Sequence, residues 1–382
     1  MVRFLRDIIA LPSPSGGEGK VAERTVREMK SCGFDKAFID RIGNAVGIVG
    51  SGKPVILFDA HMDTVGIHDR EKWKIDPYQG RYDGNYVYGR GAAENKGALA
   101  AILYGVKAML RAKLIKGTVI VTGSTFEEDC DGLGLWYALK KTGLKPDAVV
   151  IGKFTELKIM RGQRGRMEIR ITVPGKSCHA STPEQGVNPI YQALPIIAGI
   201  EKLNGKLKKD KFLGKGTIAV TQIQVNSPGF NRLGHEVTLS VDRRLTVGET
   251  KALALRQIQA LPGAKTAKVE ILSYEKPAST GLIQRTEKYF PGWSVCEDER
   301  IVQAAVRTYK KAIGGKPIID KWTVSSNGVS SCGLLGIPTV GFGPGEKKFL
   351  HNYDDRIAVQ DMLKAARFYA LFPLLYQTAG NE

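Results

Sequence analysis

The sequence lacks any apolar run long enough to cross a membrane. Its longest runs of large apolar residues, such as the one that ends in Val55 to Phe58, fall well short of the roughly 18 to 20 residues that a membrane span requires. The segment Met1 to Asp7 places charges in its first apolar turn and has neither the apolar core nor the cleavage site of a signal peptide. We therefore predict a cytoplasmic protein that begins with an amphipathic helix and has no membrane partner.

Cysteine is also scarce. The five cysteines are an odd number, are scattered along the chain and include no C-x-x-C pair, which argues against a disulfide framework and against a zinc knuckle. Internal repeats and low-complexity segments are absent as well. The 382 residues are 43% hydrophobic and 25% charged, a composition typical of a folded protein with two or three domains rather than of a disordered or fibrous one.

Basic residues outnumber acidic ones. Lys and Arg number 56 against 38 Asp and Glu, and the resulting net charge of +18 attracts anions from small carboxylates to nucleic acids. The densest basic run, Lys206 to Lys211, contains no aromatic residue on which a base could stack. This run is typical of a solvated loop, and we predict a small carboxylate substrate and no nucleic-acid partner.

The order of the predicted elements indicates two domains. Up to residue 162, helical and strand periodicities alternate as in a wound α/β layer. The elements predicted there are a helix over 19–32, a buried strand over 54–59, a helix over 95–113, a strand over 118–125, a helix over 133–141 and a strand over 148–151. Over 163–276 the order becomes β-α-β-β-α-β, the split ferredoxin-like unit. We therefore predict a discontinuous α/β domain, 1–162 and 277–382, with an inserted ferredoxin-like α+β domain, 163–276.

Two polar motifs follow predicted strands of the α/β domain. His61 and Asp63 form H-x-D after the buried strand, and because residues two apart in an extended segment face the same side, Asp63 could fix the imidazole tautomer for metal binding. Glu127 and Glu128 follow the strand over 118–125, and adjacent carboxylates raise each other's pKa unless a cation lies between them. Each motif also has a simpler interpretation: a turn histidine with a capping aspartate, and a solvated acidic turn.

Two further segments contribute single residues. A glycine-rich turn, Gly89 to Gly97, places Glu94 near the start of a helix, where it could equally be a simple cap. His351 follows another glycine-rich stretch, Gly343 to Gly345. All four segments leave strand ends of one α/β domain, which is where open α/β sheets bind their ligands. Their convergence predicts a metal centre.

A wider set of segments occurs in a recognisable order. The set consists of Asp59 to Thr64, Gly89 to Ala92, Glu127-Glu128, Ser177 to Ser181, Asp242 to Arg244 and His351. In this order, and over nearly the whole chain, the sequence resembles the co-catalytic zinc family of acetylornithine deacetylase, succinyl-diaminopimelate desuccinylase, aminoacylase and glutamate carboxypeptidase. Three more segments are similar to a bacterial subgroup of hydrolases linked to selenium metabolism: Gly162 to Arg166, Trp322 to Gly328 and Phe342 to Gly345.

The resemblance implies a fold and a metal site. The α/β domain would be catalytic, and the insert would be a lid that pairs two subunits into a homodimer. A first zinc ion would be held by His61, Glu94 and the residue at position 153. A second zinc ion would be held by Glu94, Glu128 and His351.

The resemblance also implies roles around the metals. Asp63 would orient the histidine of the H-x-D motif, and Glu127 would be the general base that takes a proton from the attacking water and passes it to the leaving nitrogen. His179 of the partner subunit would donate to the oxyanion. In the lid, Asn231 and Arg244 would grip a substrate carboxylate, for which a guanidinium fork is suited.

The sequence departs from the pattern of the family at two metal-ligand positions. Glu94 stands where the family has Asp, which keeps the charge but moves the oxygens by about a methylene. Lys153 stands where the family has a carboxylate ligand, so a negative group has become an ammonium. At ~4 Å and an effective dielectric of ~20, an ammonium opposes a divalent ion by roughly 8 kcal/mol. We therefore do not expect an ordinary first zinc site.

Four interpretations of Lys153 are open. Lys153 could act as a fixed cation in place of the first metal, paired with Glu94, which leaves one zinc ion on Glu128 and His351, with or without Glu94. The site could hold no metal and be inactive or altered. Lys153 could be carbamylated, or could point away while other groups bind the ion. Finally, Glu156 could supply the missing carboxylate.

The sequence thus predicts a zinc-dependent amide-bond hydrolase of the deacylase, dipeptidase or carboxypeptidase type. Its substrate would be a small N-acylated amino acid or dipeptide, and one zinc ion is favoured over two. The rival hypothesis is a non-catalytic, metal-free relative that binds a small carboxylate through Asn231 and Arg244, with Lys153 filling the first metal site. Metal content distinguishes these two hypotheses.

Overall fold

The computed structural model describes residues 1–378. Its helices are α1 (Val2–Ile9), α2 (Gly19–Cys32), α3 (Gly97–Arg111), α4 (Leu133–Lys140), α5 (Pro189–Lys206), α6 (Lys251–Gln259), α7 (Arg300–Ala312) and α8 (Val359–Thr378). Its strands are β1 (Lys36–Ile39), β2 (Ala45–Ser51), β3 (Val55–His61), β4 (Tyr86–Tyr88), β5 (Gly117–Ser124), β6 (Ala148–Ile151), β7 (Ile159–Gln163), β8 (Gly165–Pro174), β9 (Lys209–Asp210), β10 (Gly214–Lys215), β11 (Thr217–Asn226), β12 (Glu236–Leu245), β13 (Lys268–Ile271), β14 (Ser273–Tyr274), β15 (Thr286–Glu287), β16 (Tyr289–Phe290), β17 (Trp293–Ser294), β18 (Ile319–Trp322), β19 (Thr339–Gly341) and β20 (Arg356–Ala358). The chain divides into two units. The first comprises Met1–Gln163, Glu275–Gln284 and the chain from Ser294, and the second comprises Arg164–Tyr274 and Arg285–Trp293.

The first unit contains a mixed sheet in the strand order β1-β2-β5-β3-β6-β19-β7, with β18 also beside β7. β3 lies between β5 and β6 and runs parallel to both. Every residue of β3 from Ile56 to His61 is buried, which explains why the strand begins as a continuous apolar run instead of an alternating pattern. Because the three strands are parallel, their carboxyl ends lie at one edge of the sheet, which is where open α/β sheets bind their ligands.

Helices α3 and α8 of the first unit pack against each other and against β3. The ring of Phe58 on β3 packs edge-on against Tyr369 at 5.4 Å and Phe372 at 6.2 Å. Gly105 allows the helices to approach closely, because a Cβ there would lie 2.6 Å from the carbonyl oxygen of Ala366. Among residues 1–378, no helix combines the length and the apolar character needed to cross a membrane.

The second unit has the order β8-α5-β11-β12-α6-β13, with antiparallel strands in the spatial order β11-β12-β8-β13. Asn188 caps α5 by accepting the N–H of Ile190, and Thr250 caps α6 by accepting the N–H of Leu253. Alternate residues of the long strands face the helices. The resulting core includes Met167, Ile169, Ile171, Val173, Ile196, Ile200, Val237, Leu239, Val241, Ala254 and Ile258.

The predicted fold, an α/β domain interrupted by a ferredoxin-like α+β insert, is confirmed. The boundaries differ from the predicted insert, 163–276, in two ways: Gln163 and residues 275–276 belong to the first unit, and Arg285–Trp293, predicted in the α/β domain, belongs to the second unit, where β16 pairs with β8. The helix predicted over 95–113 is α3, Gly97–Arg111, because residues 92–96 form a separate, wider helical turn that is interrupted by the extended backbone of Glu94 (φ −138°, ψ 102°). Very short strands such as β4 and β20 escaped prediction, since three residues cannot display a periodicity.

Candidate metal centre

Separate segments of the first unit bring their polar side chains to the carboxyl edge of its sheet. His61 ends β3, Glu127 follows β5, and Lys153 follows β6. Parallel pairing of these three strands places the three side chains near one another. The turn before α3 adds Glu94, and the segment before β20 adds His351.

Asp63 fixes His61 and both glutamates after β5. Its buried carboxylate accepts hydrogen bonds from the backbone N–H of Glu127 (3.1 Å) and Glu128 (2.9 Å) and from the hydroxyl of Ser15 (2.6 Å). His61 Nδ1 lies 3.0 Å from the carbonyl oxygen of Asp63 and 3.3 Å from its Oδ1. Both of these oxygens are acceptors, so Nδ1 carries a proton and Nε2 is directed to the other carboxylates.

A second buried carboxylate, Asp355, holds the turn that carries Glu94. Asp355 accepts hydrogen bonds from the backbone N–H of Gly91 (2.7 Å) and Ala93 (2.9 Å), and from Arg90 Nη1 (3.2 Å). Gly91 has a φ of 87°, a left-handed conformation that glycine adopts without strain. Sequence reasoning missed Asp355, because no motif signals a contact between segments so far apart along the chain.

Glu94 bridges two groups of side chains. Its Oε1 lies 2.8 Å from Lys153 Nζ and 3.8 Å from His61 Nε2. Its Oε2 lies 3.2 Å from His351 Nε2, which is also 3.4 Å from Glu128 Oε2. The half-exposed His351 therefore closes the site from its outer side, whereas His61 and Lys153 lie at its buried end.

Two sets of possible ligand atoms share Glu94, and the atoms of each set lie within 4.8 Å of one another. The first cluster consists of His61, Glu94 and Glu127. The second cluster consists of Glu94, Glu128 and His351. These sets comprise the sequence-predicted ligands together with the predicted general base.

Lys153 lies inside the first cluster. Its side chain is 4% exposed, and its Nζ lies 2.5 Å from Glu127 Oε1 and 2.8 Å from Glu94 Oε1. The interpretation in which Lys153 points away from the site is therefore wrong. The interpretation in which Glu156 supplies the carboxylate is also wrong, because Glu156 is exposed and pairs with Lys158 at 2.8 Å.

The buried carboxylates need a positive charge in each of the two clusters. Burial alone would raise the pKa of Glu94, but the Lys153 ammonium, together with the two histidines, holds that pKa well below its usual range. Hydrogen bonds to Glu128 and Glu94 raise the pKa of His351 to about 10, while burial raises the pKa of Glu128 to about 7. A proton on His351 thus supplies the positive charge of the second cluster, and a divalent cation can displace such a proton.

The second cluster fits a zinc ion, and the first does not. One imidazole nitrogen and two carboxylates are a normal zinc donor set, and the buried Oε1 of Glu128 has no hydrogen-bond partner within residues 1–378. In the first cluster, His61 Nε2 is likewise buried without a hydrogen-bond partner in the described part of the chain. There, however, the Lys153 ammonium already contacts both carboxylates that would complete a metal site.

Glu18 is another buried carboxylate near this edge of the sheet. Its Oε1 accepts the N–H of Phe126 at 3.0 Å, and burial, followed by the charge of Asp63, raises its pKa from 4.5 to about 7. The folded protein then holds a proton that the unfolded chain has released, so stability falls as pH rises from about 4.5 to about 7. We expect Glu18→Gln to raise the free energy of unfolding above pH 7 by up to about 3 kcal/mol. Urea unfolding at pH 5 and pH 8 measures this gain, and equal gains at both pH values would contradict the raised pKa.

The three site residues predicted in the insert lie in the second unit. His179 and Asn231 are exposed neighbours, because the N–H of Ala180 donates to the carbonyl oxygen of Asn231 at 2.8 Å. Arg244 lies on β12 and forms a two-point ion pair with Asp242, with distances of 2.8 and 3.1 Å. The roles of these three residues toward a substrate stay predictions.

Known proteins share this sequence pattern and fold. A model of peptidase family M20/M25/M40 matches residues 57–374. The protein YgeY of Escherichia coli strain K12 is 43% identical over 377 residues, which are 98% of this chain and 94% of the relative. A succinyl-diaminopimelate desuccinylase of Magnetococcus marinus is 24% identical over 99% of both chains. The fold resembles that of Sso-CP2, an M20 family metallo-carboxypeptidase from Sulfolobus solfataricus, with a TM-score of 0.77 and 18% identity over 97% of this chain and 98% of that one.

Proposed function

Because the chain belongs to peptidase family M20/M25/M40, we propose that it uses zinc to hydrolyse the amide bond of a small N-acylated amino acid or dipeptide. Members of this family are metal-dependent hydrolases of acylated amino acids or peptides, and the chain shares their sequence pattern and fold. The observation that supports the finer proposal is the second cluster. It combines an imidazole with two carboxylates and lies beside Glu127, the candidate base.

Different residues of the chain would have different roles in hydrolysis. Glu94, Glu128 and His351 would hold the zinc ion, which when bound supplies Lewis-acid polarisation of the amide carbonyl and lowers the pKa of water. Glu127 is buried, and its backbone N–H is fixed by Asp63. Its carboxylate would take a proton from the attacking water and deliver it to the leaving nitrogen.

A substrate panel assayed with and without zinc tests this function. The panel contains N-acetyl and N-succinyl amino acids of differing side chain, together with dipeptides. We expect at least one compound to be hydrolysed by zinc-loaded protein, and we expect this activity to disappear with a chelator and to return when zinc is restored. Turnover that persists in full after the metal has been removed would contradict the proposed chemistry.

The two ion pairs of Lys153 favour a second candidate function. If the ammonium supplied all the positive charge the site needs, the chain would be a metal-free protein that binds a small carboxylate through Asn231 and Arg244 without hydrolysing it. Metal analysis after dialysis against zinc separates the candidates. Near-stoichiometric zinc favours the enzyme, and its absence favours the binding protein.

We further propose that the chain forms a homodimer through the second unit. β11 is the end strand of its sheet within the described residues, and it exposes Ile223 and Val225. Helix α5 of the same unit exposes Tyr191 and Leu194. An end strand with exposed apolar side chains is a surface on which a second copy can pair. In such a dimer, His179 of the partner subunit would donate to the oxyanion.

Mixing two inactive variants tests the dimer and the role of His179 together. In a dimer that exchanges this residue, each site combines Glu127 of one chain with His179 of the partner subunit. A heterodimer of Glu127→Gln and His179→Ala then contains one intact site, and random reassociation should restore about a quarter of wild-type turnover. If mass analysis confirms that heterodimers have formed and no activity returns, the exchange of His179 is contradicted.

A further inference from the structure

The Lys153 ammonium lies where the first cluster would otherwise bind a cation. It contacts Glu127 Oε1 at 2.5 Å and Glu94 Oε1 at 2.8 Å. His61 Nε2 lies 3.5 Å from Glu127 Oε2 and 3.8 Å from Glu94 Oε1. The ammonium and the imidazole are therefore directed at the same two carboxylates.

The backbone at Lys153 is held in place by neighbouring segments. The N–H of Gly152 donates to the carbonyl oxygen of Asp59 at 2.6 Å, and the carbonyl oxygen of Gly152 accepts from Asn95 Nδ2 at 2.6 Å. On the other side, a Cβ on Gly343 would lie 2.0 Å from the carbonyl oxygen of Lys153. The main chain is thus held between two neighbours, and the buried side chain extends from a fixed origin.

We infer that Lys153 permanently replaces one of two cations, so that the chain binds a single divalent ion, at the second cluster. This inference rests on the proposed function in one respect, namely that Glu94, Glu128 and His351 bind the remaining ion. What it adds is that the side chain at position 153 determines how many metal ions the chain binds. Lys153 also pairs with both Glu94 and Glu127 without the need for a metal.

Charge balance makes the inference testable by a single substitution. Lys153→Glu removes one positive charge and adds one negative charge, a change equal and opposite to the charge of one divalent cation. The new carboxylate would extend from the same backbone position toward the site where Lys153 Nζ now contacts Glu94 and Glu127. The substitution should therefore create a second metal site and leave the second cluster unchanged.

The experiment counts zinc ions per folded chain after equilibrium dialysis, by elemental analysis, for the wild type and two variants. We expect one ion for the wild type and two for Lys153→Glu. The matched control is Lys158→Glu, which makes the same charge change at a partly exposed lysine that pairs with Glu156. We expect the control to bind one ion.

Each outcome decides the inference. Two ions in the wild type would overturn it, and a mass increase of one carbamate on Lys153 would then identify how the lysine had become a ligand. A folded Lys153→Glu that binds no more zinc than the wild type would also overturn it. If Lys153→Glu does not fold, the wild-type count alone decides. No ion in the wild type but one in Lys153→Glu would sustain the role of Lys153 and reject the proposed zinc hydrolase, so the two failures are distinguishable.

Discussion

Replacing Glu127 with Gln should lower kcat by about 10²- to 10⁴-fold, the contribution typical of a positioned general base, and should leave the zinc content unchanged. Gln keeps the size of the side chain, and its amide oxygen can still accept from Lys153, which now contacts Glu127 Oε1 at 2.5 Å. What it loses is the ability to hold a proton. Because Glu127 belongs to the first cluster, the ligands of the second cluster stay intact. The loss should therefore fall on kcat and leave KM nearly unchanged.

Glu156→Gln is the matched control for this experiment. It makes the same chemical change on an exposed carboxylate whose partner is Lys158, and we expect wild-type kcat. Elemental analysis of both variants separates the loss of a base from the loss of a metal. Turnover of Glu127→Gln within twofold of the wild type would remove Glu127 from the reaction, and loss of zinc in this variant would instead make it a ligand.

The sequence predicts that the site residues lie close together, because their proximity follows from the topology of the sheet. A buried strand followed by His61 and another followed by Glu127 place both side chains at one edge if the strands are parallel, and β3 and β5 are parallel. The ferredoxin-like insert was predictable for a similar reason, since its long strands and helices have clear periodicities. The two-residue strand β16, which carries 285–293 into the second unit, has no periodicity to detect.

The position of the Lys153 ammonium could not be predicted from the sequence. The four interpretations differ in metal content, in carbamylation of the lysine and in whether Glu156 supplies the carboxylate, and each depends on where the Lys153 side chain lies. That is decided by long-range packing: Gly343 crosses the backbone of Lys153, and Asn95 holds the preceding carbonyl group. The same limit applies to Glu18 and Asp355, whose importance comes from backbone N–H groups of distant segments.

Replacing Lys153 with Met should destabilise the metal-free protein by about 3–5 kcal/mol, the usual cost of removing one partner from a buried ion pair. Met is unbranched and flexible enough to fill the space of the lysine stem, so the main loss is the ammonium. Glu94 and Glu127 would then be buried beside each other without their shared cation. His61 compensates only in part, because its Nε2 lies 3.5 Å from Glu127 Oε2 and 3.8 Å from Glu94 Oε1, farther from both carboxylates than the ammonium.

Urea unfolding in the presence of a chelator measures this effect, and Lys158→Met provides the matched control. Lys158 forms an exposed pair with Glu156, and the loss of such a pair should cost 0 to about 1 kcal/mol. Zinc should recover part of the loss in Lys153→Met, because a cation that binds only the folded state at about 100 times its Kd stabilises it by about 2.7 kcal/mol. The stabilisation by zinc should therefore be larger in Lys153→Met than in the wild type, where the ammonium already fills the first cluster. If Lys153→Met in chelator is within 1 kcal/mol of the wild type, the ammonium is not what neutralises these carboxylates, and its replacement of a metal ion is rejected on thermodynamic grounds.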